Sequence, residues 1–154
     1  MDTATWLVIG YGNDLRGDDA AGRCSAAQIA AWQLPGMQVI ETHQLLPELA
    51  PRLAAARHAL FLDAADARML PKVTIQALLP AAQAPPLAHH AGPAALLAWA
   101  RELYGHAPAA WWVTIPAHQF DFGAPLSPPA AYGVKLALRW IRRRYNAEQR
   151  QPAL

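Results

Sequence analysis

The run Trp6-Leu7-Val8-Ile9-Gly10-Tyr11-Gly12-Asn13-Asp14-Leu15-Arg16-Gly17-Asp18-Asp19-Ala20-Ala21-Gly22 constrains this chain more than any other stretch. The apolar residues Trp6 to Ile9, closed by glycine, read as a buried β-strand over residues 5–10. Glycines at 10, 12 and 17 let the backbone turn sharply and approach other groups closely. Asp18 and Asp19 stand where a helix begins, Asp18 as its N-cap and Asp19 as a first-turn acid. Gly22 and its neighbouring alanines let that helix lie close to a sheet. In open α/β sheets, ligands sit at such strand–loop–helix junctions, outside the carboxyl ends of the strands.

The remaining punctuation repeats the alternation. A helix over residues 19–33 presents Cys24, Ala27, Ala31 and Leu34 at helical spacing and stops at Pro35-Gly36. Met37 to Thr42 reads as a second strand, and Pro47 opens a helix running to about Ala56. His58 to Leu62 is a third strand that ends in Asp63-Ala64-Ala65-Asp66. Val73 to Leu78 alternates between prolines 71 and 80 and reads as a fourth strand. A proline-rich loop over 80–88 leads to His89-His90, and Pro93 opens a helix to about Tyr104. Ala110 to Ile115 is a fifth strand, ended by Pro116. The last helix runs from about Ser127-Pro128 to Tyr145, with a frayed tail beyond Asn146. Strands alternating with helices predict a three-layer α/β/α sandwich around a mostly parallel sheet of about five strands. Residues 1–154 form a single domain on this reading.

Composition narrows the function classes. A 54% hydrophobic share over 154 residues supports one sizeable core and argues against disorder. A net charge of +2 is too small to call for nucleic acid. Arg139, Arg142, Arg143 and Arg144 are either a solvated helix terminus or a docking face for an acidic partner. The single cysteine, Cys24, excludes an internal disulfide and a cysteine-rich zinc site, and reads as a small buried residue. The first residues lack a signal-peptide pattern, and no stretch reaches the roughly 18 apolar residues of a membrane span. The expectation is a cytoplasmic monomer with no membrane and no nucleic acid among its partners.

Asp18 and Asp19 follow strand one, His43 follows strand two, Asp63 and Asp66 follow strand three, and His89 and His90 precede the next helix. Two carboxylates and an imidazole from separate loops make a candidate divalent-metal site, with Asp19, Asp63 and His89 as ligands. A metal there lowers the pKa of bound water and polarises a carbonyl, which suits amide hydrolysis. The same residues also read, without any metal, as helix caps, a turn aspartate and loop histidines. Gly10-Tyr11-Gly12 starts like a dinucleotide fingerprint, but Leu15 stands where its third glycine belongs. The acid pair also repels a pyrophosphate, so no nucleotide cofactor is expected. No Walker A motif or Gly-x-Ser-x-Gly elbow occurs.

Ile9-Gly10-Tyr11-Gly12-Asn13, Leu15-Arg16-Gly17-Asp18-Asp19 and Gly22 together resemble the N-terminal signature of the nickel-iron hydrogenase maturation endopeptidases. His43-Gln44-Leu45 with Pro47-Glu48-Leu49-Ala50 is similar to the second loop of the branch serving bidirectional, NAD-linked hydrogenases. Leu62-Asp63-Ala64, His89 with Gly92-Pro93, Ile115-Pro116 and Leu126-Ser127-Pro128 resemble later motifs, in order along nearly the whole chain. The resemblance implies removal of a C-terminal peptide from a hydrogenase large-subunit precursor after nickel insertion. It implies a metal held by Asp19, Asp63 and His89, the nickel being carried by the substrate. Asn13, Asp18, His43 and His90 are the implied candidates for substrate contact. His43 either approaches the substrate or metal or bonds to the backbone, and His89 is preferred to His90 by its spacing to Gly92. A non-catalytic metal-sensing chaperone for the same partner is the alternative, since gripping and cutting need the same ligands.

Overall fold

A computed structural model describes residues 5–87 and 92–151. In chain order the elements are β1 (Trp6–Tyr11), α1 (Ala21–Ala31), β2 (Met37–Thr42), α2 (Ala50–Ala54), β3 (His58–Asp66), β4 (Thr74–Leu78), α3 (Pro93–Tyr104), β5 (Ala109–Ala117) and α4 (Pro128–Arg150). Short 3-10 turns, Gly17–Ala20 and Pro47–Leu49, lead into α1 and α2. The sheet order is β2-β1-β3-β5-β4, parallel except for β4, which pairs antiparallel with β5 at the edge. This is the expected mostly parallel five-stranded α/β sandwich.

Trp6 to Ile9 are fully buried because β1 lies inside the sheet and is covered on both faces. From β1 the chain steps to β2 on one side, then returns past β1 to β3 on the other. Right-handed crossovers therefore place α1 and α2 on opposite faces. One core layer joins Trp6, Val8, Leu60, Leu62, Val113 and Ile115 to α1 and α4. The other joins Leu7, Ile9, Ala59, Phe61 and Ala110 to α2 and α3. Strand alternation sorts these residues between the layers. The reversal of direction between β1 and β3 opens a crevice at their carboxyl ends.

Several sequence expectations need correction. β3 runs to Asp66, so Asp63 sits within the strand, paired with Thr114, rather than beyond its end. β5 continues through Pro116 to Ala117. Its pairing with β4 stops at Thr114, so the proline's missing N–H falls where one edge of the strand is already open. The buried face of α1 is Ala21, Gly22, Ser25, Ala26 and Ile29, whereas Ala27 and Ala31 are exposed. The close seat of Gly22 on β3 sets that rotation: a Cβ there would collide with the Leu62 carbonyl.

α4 continues to Arg150 because its last turns have partners at the amino ends of the strands. Buried Tyr145 donates its hydroxyl to the Pro35 carbonyl at 2.7 Å. Beside it, His58 stacks on Trp6 with ring centroids 4.5 Å apart. Glu148 lies 3.2 Å from His58 Nε2, close but poorly aligned for a hydrogen bond. Burial holds the His58 pKa below the ordinary histidine value, against the pull of Glu148.

Candidate functional site at the β1–β3 crevice

The chain leaves β1 at Gly12, whose φ of +141° lies outside the reach of ordinary side chains. A Cβ at this position would run into the Asp19 carbonyl, so the loop can fold back only with glycine here. Folded back, it brings the Asn13 N–H to Asp19 Oδ2, at 2.7 Å. The Asn13 side chain closes a local turn by accepting from the Leu15 N–H at 3.0 Å. Asn13 therefore shapes the loop and aims Asp19.

Asp63 comes up beside it from β3. Its Oδ2 accepts from the Tyr11 hydroxyl at 3.0 Å, and its Oδ1 accepts from the Ala64 N–H at 2.8 Å. Burial pushes the Asp63 pKa up to about 6; hydrogen bonds from Tyr11 and Ala64 and the nearby Trp112 indole oppose the rise, and the negative charge of Asp19 adds to it. The Tyr11 phenol is pushed up as well, by burial first and then by Asp63. Among the described residues no ion pair includes Asp19 or Asp63. Two neighbouring carboxylates without a cation are a costly arrangement that a bound cation relieves.

Asp18 departs from its expected roles as helix cap and substrate contact. It is fully buried and forms no side-chain cap on its own helix. Its Oδ2 accepts from the His118 N–H at 2.8 Å, the Gln119 N–H at 3.2 Å and the Ser127 hydroxyl at 2.6 Å. Its Oδ1 accepts from the Ser127 N–H at 2.7 Å. Burial alone would raise its pKa, but these bonds outweigh it and hold the carboxyl below the ordinary value. Asp18 thus ties the β1 loop to the β5–α4 connection. Ser127 caps α4 in turn by accepting from the Ala130 N–H.

His43 is exposed on the loop after β2, just past Thr42, which pairs with Tyr11. His89 and His90 lie outside the described residues. Among the described residues no group of three metal-ligating side chains converges. Asp66 is engaged with Arg68, which donates to it from both Nε and Nη2. Ser25 donates to the Ala21 carbonyl at 2.8 Å, and the half-buried Cys24 thiol is pushed up by burial first and then by Glu41. Neither is a ready nucleophile. Sequence reasoning passed over Tyr11 and Trp112 as site residues. Period-two alternation puts Tyr11 on the face of Leu7 and Ile9, but nothing local shows that Asp63 shares that face.

Comparison with solved structures places this architecture. The hydrogenase maturating endopeptidase HybD from E. coli matches with a TM-score of 0.72 and 20% identity, over 93% of each chain. The [NiFe] hydrogenase maturation protease HycI from Thermococcus kodakarensis matches at 0.67 and 16%, over 90% of each. A hydrogenase 2 maturation peptidase from a Thaumarchaeota archaeon matches at 0.68 and 17%, over 92% of this chain and 97% of that one. Neither a protein-family model nor the sequence of a curated protein matches this chain. At these identities the likeness shows a common fold, and the site must be argued from its own residues.

Proposed function

We propose that this chain is an endopeptidase that removes a C-terminal peptide from a nickel-loaded hydrogenase large-subunit precursor. The observation that carries the reading is the neighbouring carboxylates Asp19 and Asp63 at the β1–β3 switch point, which form no ion pair among the described residues. It is joined by a fold held in common with hydrogenase maturation proteases. On this reading the nickel arrives as part of the substrate. Asp19 and Asp63 supply oxygen donors to it, and His89, from the segment that precedes α3, supplies nitrogen. The ion's Lewis acidity polarises the scissile carbonyl.

Water is the nucleophile in this scheme. Its oxygen adds to the carbonyl carbon, the C–N bond breaks, and the two water protons end on the new carboxyl group and the leaving amine. The finer parts of the proposal are aspartates as the hydrolytic groups, nickel as the recognised metal, a cytoplasmic location and a monomeric enzyme. Among the described residues no helix is long and apolar enough to cross a membrane.

The test follows the mass of a large-subunit precursor incubated with this protein, nickel-loaded in one arm and nickel-free in the other. Loss of a C-terminal peptide from the loaded form alone supports the proposal. Binding of the loaded form without a change of mass replaces it with a metal-sensing chaperone.

A further inference from the structure

We propose that Tyr11 and Trp112 are positioning residues that clamp the Asp63 carboxylate from β1 and β5 and set its orientation for the substrate. The inference rests on the function proposed above. An aspartate carboxylate rotates in a broad, roughly two-fold torsional well, so its orientation is set by whatever donates to it. The Ala64 N–H belongs to the neighbouring peptide and fixes only Oδ1. The donor on Oδ2 comes from another strand: the Tyr11 hydroxyl, at 3.0 Å.

The third wall is Trp112. On β5 it pairs with Phe61, two residues before Asp63, which puts its side chain on the same face of the sheet. Its Nε1 is buried and, among the described residues, has no fully formed hydrogen bond, yet it lies near enough to Asp63 and Tyr11 to favour the ionised form of each. A buried indole N–H without an acceptor is costly, and a phenylalanine would fill the space without that cost. In the clamp the N–H serves as a donor to the carboxylate as Asp63 turns toward an incoming ligand. Partners of this kind behind a ligating carboxylate typically change affinity or activity by about 10–100-fold when removed.

The experiment compares the parent protein with Tyr11→Phe, Trp112→Phe and Asp63→Asn. Three quantities are read: thermal midpoint, kcat and KM for the nickel-loaded precursor, and the side-chain carboxyl 13C resonance of Asp63, assigned by its loss in D63N. We expect Y11F to fold with a midpoint near the parent's, to lower kcat about 10–100-fold with KM little changed, and to move or broaden the Asp63 resonance. W112F is expected to act in the same direction and less strongly. If D63N is inactive while Y11F matches the parent in both kcat and resonance, the clamp is refuted and the proposed function stands. If D63N processes the precursor normally, the role given to Asp63 falls and the clamp falls with it; if the parent leaves the nickel-loaded precursor uncut, the proposed function falls.

Discussion

Replacing Asp18 with alanine should unfold this protein more readily than any other single change at a polar residue near the site. The carboxylate is fully buried and accepts four hydrogen bonds, from Ser127 N–H and Oγ and from the His118 and Gln119 N–H groups. A hydrogen bond to a charged group contributes about 1.5–3 kcal/mol, and each buried donor left without an acceptor costs about 1–3 kcal/mol. The terms are not additive, because the freed amides relax together and water enters the gap. We therefore expect a net loss of about 3–5 kcal/mol, in the range of a broken buried network. For a domain of this length that is a drop of about 6–20 °C in Tm. Urea unfolding at neutral pH measures it as a lower midpoint at unchanged slope. A cycle with Ser127→Ala should return a coupling of about 1–3 kcal/mol. The sign with pH is also set. The folded-state pKa lies below the unfolded one, so the contribution is full above about pH 4 and is lost as pH falls through the depressed value. Asp18→Asn should lack that acid-dependent part. A D18A protein within about 1 kcal/mol of the parent would refute the idea that this carboxylate ties the two loops together.

Gly22→Ala should destabilise by about 1–3 kcal/mol, read by thermal melts, because the new Cβ meets the Leu62 backbone rather than a yielding side chain. His58 should make the protein acid-sensitive at the other end of the sheet. Its burial lowers the folded pKa, so its contribution is present above the unfolded value of about 6.5 and is lost as pH falls through the folded one. His58→Phe, which keeps a ring against Trp6, should therefore lose less stability than the parent between about pH 7.5 and pH 5 in urea titrations. Asp19→Ala should cut precursor processing by at least about 100-fold while leaving the fold intact, since among the described residues its carboxylate accepts from one loop amide. Stripping nickel from the precursor should abolish cleavage by the parent protein, and equal cleavage of both forms would sink the metal-recognition step.

How much of this was legible beforehand depends on the range of the forces involved. Element positions rest on local rules: β2 at Met37–Thr42 and α3 at Pro93–Tyr104 fall where turn glycines and N1 prolines place them. Asp19 and Asp63 were legible as candidates because each follows an apolar strand run, and ligands in open α/β sheets gather at the carboxyl ends of the strands. What escaped was the direction of each side chain. Asp18 and Asp19 are adjacent and chemically identical, yet one is buried among the amides of residues 118, 119 and 127 and the other is held by the Asn13 amide near Asp63.

The sequence by itself thus determined the α/β class, the order of elements and the loops that carry acids, because each follows from periodicity and backbone chemistry within a few residues. The tertiary structure alone decided three things: that Asp18 is a fastening, that Tyr11 reaches Asp63, and that α1 turns Gly22 rather than Ala27 toward the sheet. Those choices depend on contacts between residues far apart in the chain, from Gly22 with Leu62 to Asp18 with Ser127, where packing and the need to satisfy buried polar groups prevail over local preference.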